Sequence, residues 1–272
     1  MTTQHYLAGN ALIGDALLAV GWYLPTERQF DRHVIVCNHY NREVYEFLRD
    51  HTTHVIDEII VHDDYERLRI WPDFDAYCDK IDAAYSAERP PVRLAWPLAF
   101  GDEGHHARAI PLVPWAHAPR VVDGPYVTMQ IDSVHSWKHM HHLAQVQSPL
   151  PIVCVTRTNE RCHPAHTVQL QDQHLSRVAE VLLGAVAHLG IASSVTRFAA
   201  QLGTSTVMCC TDPTTAQNVG LQRTPGRHFT LIRPSTDQAQ TALAELAAGA
   251  QAPSCAPQQD AHDQSGHGDP AP

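Results

Sequence analysis

Short unbroken runs of aliphatic and β-branched residues alternate along this chain with longer stretches in which apolar residues recur every three or four positions. In the first half, His33-Cys37 (HVIVC) and Val55-Val61 (VIDEIIV) read as strands, with Asn41-Asp50 as a helix between them. Asp73-Ser86 predicts a further helix and Val92-Trp96 a further strand. The second half repeats the alternation, with strands over Tyr126-Ile131, Ile152-Val155, Ala185-Ile191 and Ser205-Cys209. Helices are predicted over Ser136-Val146, His174-Leu183, Val195-Leu202 and Thr236-Ala248. Strands separated by helical stretches argue for parallel sheets covered on both faces. Pro111, Pro114, Pro119 and Pro125 interrupt the less regular region from Leu98 onward, which places a boundary near Asp123-Gly124. The expected organisation is α/β, with two Rossmann-like domains (residues 1–124 and 125–248) facing across a cleft. From Gly249 the hydrophobic period is lost, which predicts a disordered tail over 249–272.

Composition narrows the classes. The chain has 272 residues, 44% of them hydrophobic, enough for real cores. No run approaches the roughly 18 to 20 apolar residues of a membrane span, which leaves a peripheral membrane contact open. A basic, then apolar, amino-terminal leader is not seen. Seven cysteines form no CxxC pair and are odd in number, which predicts reduced thiols in a cytoplasm. A formal charge of −10 disfavours nonspecific phosphate-backbone binding, so a nucleic-acid partner is not indicated.

Four segments carry candidate chemistry. Gly9 and Gly14 suit a tight strand-to-helix turn that delivers Asp15 to the start of an apolar helix. There the helix dipole favours the charged carboxylate, which makes Asp15 a candidate general base or, more plainly, a cap. Ser193-Ser194 end an apolar run and begin a helix whose first N–H groups would attract phosphate, and Arg197 on its first turn would add a bidentate contact. The plain alternative is a capped helix with a solvent-facing arginine. Lys138 beside Trp137 follows the first strand of the second half and would reach a diphosphate, or else simply face water. Thr211-Asp212 before Pro213 would line a sugar or ribose pocket, or form a turn. Among the twenty histidines, the clusters His135, His139 and His142, and Cys162, His163 and His166, match no closed zinc pattern, so no metal is expected. Gly9 to Gly14 is not GxGxxG, and no P-loop, GxSxG or kinase signature is present.

Taken in order, these motifs resemble those of bacterial heptosyltransferases, glycosyltransferase family nine. Ala11-Leu12-Ile13-Gly14-Asp15-Ala16-Leu17-Leu18 resembles the family's LGDVLL-type motif, and Val55-Ile60 its VDEVI-like strand. Trp137-Lys138 falls where the family carries a donor-binding lysine, and residues 175–213 follow the order of its DTG/DSG, AAALG and TDP elements. Two departures stand out: Ala192 replaces the family aspartate, and Arg197 replaces its histidine. The resemblance implies a GT-B fold and an inverting, metal-independent transfer of a sugar from a nucleotide-sugar donor to a carbohydrate or other hydroxyl acceptor. No cofactor is implied beyond the nucleotide-sugar itself. Asp15 would be the base, while Lys138, Ser193 and Ser194 would hold the donor phosphates. Two alternatives stay open: a catalytically inactive relative that binds a nucleotide or glycan, and a transferase acting on modified DNA bases.

Overall fold

A computed structural model describes residues 3–7, 16–17, 24–37, 39–61, 109–116, 121–132, 140–156, 168–171, 173–218, 220–221 and 224–251. The first half contributes three parallel strands in the order β1 (Thr3–Leu7), β2 (Arg32–Cys37), β3 (Glu58–Val61). Helix α1 (His39–His51) joins β2 to β3. It buries Val44, Tyr45, Phe47 and Leu48 along one stripe. Arg42 and Glu46 pair across one turn of its outer face at 2.7 Å. Arg49 and His51 sit in its last turn, where the dipole favours positive charge. The predicted strand from Val55 is shorter than expected. Val55 N–H donates to the Pro25 carbonyl and Asp57 N–H to that of His33, while the Asp57 carboxylate takes the Arg28 guanidinium and the His33 N–H. Those bonds hold residues 55–57 outside the ladder.

The second half forms a six-stranded sheet: β4 (Val127–Gln130), β5 (Ile152–Thr156), β6 (Val168–Gln171), β7 (Ala187–Ile191), β8 (Thr206–Cys210) and β9 (His228–Ile232). Every neighbouring pair is parallel, and the spatial order is β6-β5-β4-β7-β8-β9. Helices α2 (Leu175–Gly184), α3 (Ser194–Gln201), α4 (Pro213–Asn218) and α5 (Thr236–Gln251) connect or follow the strands. Strands β4, β5, β7 and β8 are buried at every position, whereas β6 and β9 are partly exposed, as edge strands are. The continuous apolar runs made the central strands legible. The polar, alternating VQLQ and HFTLI of β6 and β9 did not stand out from loops.

Three further expectations change. The helix predicted over Ser136-Val146 is, in its described part, a single 3-10 turn (His141–Gln145) that ends with Val146 in an extended conformation. The final helix runs to Gln251, three residues into the stretch expected to be disordered, because alanines and glutamine sustain it past Gly249. The turn expected at Thr211-Asp212-Pro213 opens α4, with Asp212 capping it and proline at its first position. The predicted helix over 73–86 and strand over 92–96 lie outside the described residues.

The two sheets are joined by packed helices. Phe47 of α1 meets Phe198 of α3 edge-on, with ring centroids 5.3 Å apart. Glu43 accepts from Leu175 N–H at the start of α2. Gln201 at the end of α3 donates its amide to the Leu17 carbonyl at 3.0 Å, and its own carbonyl accepts from Ile110 N–H. The segment carrying Ile110 also pairs with the first half, since Thr53 N–H donates to Pro111 and Val113 N–H to His51.

Candidate functional site

In the six-stranded sheet the chain winds outward in both directions from the β4–β7 pair. That order, read from its edge as 3-2-1-4-5-6, is the doubly wound one, and ligands of such sheets lie beyond the carboxyl ends of the strands where the order reverses. Here that point is bounded by Gln130 to Asp132 after β4, Ser193 and Ser194 after β7, and Thr156 at the end of β5.

A connected row of polar side chains runs under this edge. Thr128 Oγ1 lies 3.0 Å from His188 Nδ1, and His188 Nε2 lies 3.2 Å from Thr196 Oγ1. Thr196 Oγ1 is 3.2 Å from Ser193 Oγ, and Ser193 donates to the Gln130 side-chain carbonyl. Gln130 Nε2 in turn donates to the Asp132 backbone carbonyl and, at 3.3 Å, to Oδ1. Thr156 Oγ1 donates to Asp132 Oδ2 at 2.8 Å. Because the Ser193 proton is committed to Gln130, Thr196 donates to Ser193 and accepts from His188 Nε2–H, which leaves Nδ1 to accept from Thr128. Burial drives the His188 pKa down to about 3, so the ring is neutral, as this assignment needs. All the donors point one way, toward the Asp132 carboxylate.

This arrangement locates the second-half residues predicted from sequence. Ser193 is the N-cap of α3, accepting from Thr196 N–H at 3.3 Å, with its hydroxyl turned into the polar row. The cap reading therefore describes this hydroxyl, which leaves the backbone N–H groups of the turn as its remaining donors. Ser194 begins the helix and Arg197 lies half-buried on its first turn, with Nε withdrawn from solvent and its N–H on the Ser193 carbonyl. Thr211 and Asp212 serve α4: Asp212 accepts from Thr215 N–H at 2.8 Å, Thr215 Oγ1 at 2.7 Å and Thr211 Oγ1 at 2.9 Å. Gly9, Gly14, Asp15 and Lys138 lie outside the described residues. The helical Ala16 and Leu17 that follow Asp15 are buried, and Leu17 docks on the last turn of α3.

Sequence reasoning missed two residues of this site. Asp132 is a carboxylate closing an apolar strand, only 8% exposed, and that placement was a readable signal. His188 sits inside the apolar run AVAHLGI, where nothing distinguishes a structural histidine from a tolerated one. Gly190, two residues along the same strand, has a steric role: a Cβ there would overlap the Thr196 hydroxyl and lie 2.6 Å from His188 Nε2. Cys37, Cys154, Cys209 and Cys210 are buried free thiols, and burial pushes Cys37 and Cys209 up to about 12. Among the described residues, no three histidine, cysteine or acidic side chains are grouped to hold a metal ion. None of the described helices is long and apolar enough to cross a membrane.

Solved structures match over nearly the whole chain. A glycosyl transferase of family 9 from Veillonella parvula superposes with a TM-score of 0.57, covering 91% of this chain and 97% of the other at 12% identity. The E. coli heptosyltransferase WaaC, solved with ADP, gives a TM-score of 0.50, covering 88% and 97% at 13% identity. The chain shares their fold. No protein-family profile and no curated protein matches it in sequence. The family-nine resemblance drawn from the order of motifs is thus met by a family-nine fold, at an identity where the fold alone is shared.

Proposed function

We propose that this protein is an inverting, metal-independent glycosyltransferase of GT-B architecture, working in the cytoplasm on a nucleotide-sugar donor. The observation that carries the reading is the sheet reversal, where a buried polar row holds the N-terminus of α3 beside the ends of β4 and β5. In this reading the donor diphosphate lies against the first N–H groups of α3, with Arg197 and Lys138 adding positive charge. Asp15 takes the proton of the acceptor hydroxyl as its oxygen attacks the anomeric carbon. The bond from that carbon to the phosphate oxygen breaks, and the nucleoside diphosphate leaves with the electron pair. One displacement inverts the anomeric centre. Charge growing on the leaving group is stabilised by groups already aimed at it. Docking of the turn after Asp15 onto α3 through Leu17 and Gln201 supports a site shared by both halves.

A second reading has its own support. Ala192 and Arg197 stand where the resembled family has aspartate and histidine, and the Ser193 hydroxyl is spent inside the protein. These favour a catalytically inactive relative that retains nucleotide or glycan binding. Thermal-shift titration with ADP, UDP, GDP and CMP, followed by transfer and donor-hydrolysis assays, separates the two. Binding with turnover that falls about 10²–10⁴-fold in Asp15→Ala supports the transferase. Binding without turnover supports the inactive relative, and no nucleotide binding overturns both.

A further inference from the structure

We propose that Arg233 is the anchor of a second binding site, separate from the sheet reversal, for a small molecule bearing a carboxylate or phosphoryl group. The site is a hollow of about 330 Å³ beyond the carboxyl ends of β8 and β9, lined by Met140, His142, Thr211, Arg233 and Pro234.

Three features of Arg233 point to a ligand. Its backbone is left-handed, with φ +48°, and among the described residues it is alone among non-glycines in this. A side chain is disfavoured there, and such conformations persist where the surroundings impose them. Here the surroundings are explicit: Arg233 N–H donates to the Cys210 carbonyl at 2.8 Å, and Nε–H donates to the Thr211 carbonyl at 2.7 Å. One edge of the guanidinium is thereby fixed, and the two Nη groups of this exposed side chain make no hydrogen bond or ion pair among the described residues.

Six other described arginines behave differently. Arg28, Arg32, Arg42, Arg49, Arg177 and Arg227 each hold a carboxylate. The chain carries a net charge of −10, yet no acid among the described residues pairs with Arg233. The neighbouring Asp212 is occupied by the three donors of the α4 cap. His142, also lining the hollow, is held by Nε2 on the Pro234 carbonyl at 2.9 Å, and Thr236 Oγ1 donates to the His142 carbonyl. Those two bonds fix His142 against the segment that follows β9.

The chemistry of the occupant follows from the walls. A guanidinium held by one edge presents two parallel donors, which match the paired oxygens of a carboxylate or phosphoryl group. Met140 and Pro234 offer apolar surface to the body of the molecule. The volume lies at the low end of small-molecule pockets and suits something near the size of one sugar ring. The site uses neither the α3 terminus nor Asp15, so it stands whether or not the donor reading does.

The test is calorimetric titration of the full chain at low salt with D-glucuronate, with glucose 6-phosphate and with neutral glucose. One of the two anions binds and glucose does not. Which anion binds decides between a carboxylate and a phosphoryl ligand. Arg233→Ala weakens that binding by at least about tenfold, the usual consequence of losing charge-assisted hydrogen bonds. Arg233→Lys, a point charge without the fork, recovers only part of it. Arg233→Gly loses binding to the same extent but melts at or above the wild-type temperature, since glycine adopts φ +48° without strain. No binding of either anion overturns the proposal, as does equal binding by wild type and Arg233→Ala. A melting temperature several degrees lower in Arg233→Gly also overturns it, because the arginine would then be serving the fold.

Discussion

Replacing His188 with glutamine tests the polar row at a fully buried link. The imidazole is completely inaccessible, and burial drives its pKa down to about 3. In the unfolded chain the same group titrates near 6.5. Between those values the unfolded state takes up a proton that the folded state refuses. Acid therefore favours unfolding: the loss of stability starts as pH falls below about 6.5 and continues toward the folded value near 3. Each pH unit in that window costs about 1.4 kcal/mol, so passing from pH 6.5 to 5.0 removes about 2 kcal/mol through this residue. That is a large share of the 5–15 kcal/mol typical of a domain. His33, His54 and His228 are also shifted down by burial and act in the same direction. The difference between wild type and His188→Gln isolates the one residue. Glutamine can donate and accept at the same site but does not titrate. Urea unfolding followed by circular dichroism at pH 7.5, 6.5, 5.5 and 5.0 should show the variant losing about 2 kcal/mol less than wild type between the last three points. Any offset at neutral pH is irrelevant to the comparison. Parallel curves would refute the buried neutral imidazole.

Gly190→Ala should destabilise by about 1–3 kcal/mol in urea unfolding, because its Cβ overlaps the Thr196 hydroxyl and lies 3.1 Å from the Gln130 carbonyl. The same change displaces the first turn of α3, so any thermal shift given by nucleotides should shrink with it. Phe198→Ala empties the fully buried contact between α1 and α3 and should cost about 3–5 kcal/mol, read as a fall in melting temperature. Asp132→Asn sets an amide donor against Gln130 Nε2 or Thr156 Oγ1, both of which already donate there. It should cost about 1–3 kcal/mol by the same assay, while Asp132→Asn with Thr156→Val should recover part of the loss.

What could be read from the sequence follows burial. HVIVC, IVCVT and TVMCC are unbroken apolar runs because the strands they form are covered on both faces, and each was found within a residue or two. Strands β6 and β9 bury one face at most, and four or five residues of alternating polarity carry too little signal to separate them from a loop. Thr211-Asp212-Pro213 did hold a readable pattern, a capping carboxylate followed by proline at the first helical position. The turn reading came near it without naming the helix that the turn opens. Ser193 was correctly placed at the start of a helix, but no one-dimensional pattern reveals which way a hydroxyl turns, and this one turns inward to Gln130, 63 residues earlier. Asp132, His188 and Arg233 share that difficulty. Each gains its meaning from partners brought together by the strand order, and strand order is a property of the whole sheet.

A polar row through the middle of an α/β core is costly unless every member is satisfied, and an apolar core of similar volume would generally be at least as stable. Its retention here makes sense in terms of position. Packing alone lets a short helix such as α3 slide along the sheet by small amounts at little cost, since apolar contacts have no direction. Hydrogen bonds from β7 through Thr196 and Ser193 to β4 do have direction, and they register the first turn of α3 against the ends of two strands on either side of the reversal. Gly190 permits this by letting His188 and Thr196 meet over a bare backbone. Donors run in sequence to Asp132, so removing an interior member leaves one donor and one acceptor unpaired, while removing the head leaves a single acceptor unfilled. Thr128→Val, at the head of the row, leaves one acceptor unfilled, whereas Ser193→Ala interrupts the cap and the row together. Ser193→Ala should therefore be the more damaging of the two despite the greater exposure of the serine. The reverse ranking would mean that the row is incidental to the placement of α3.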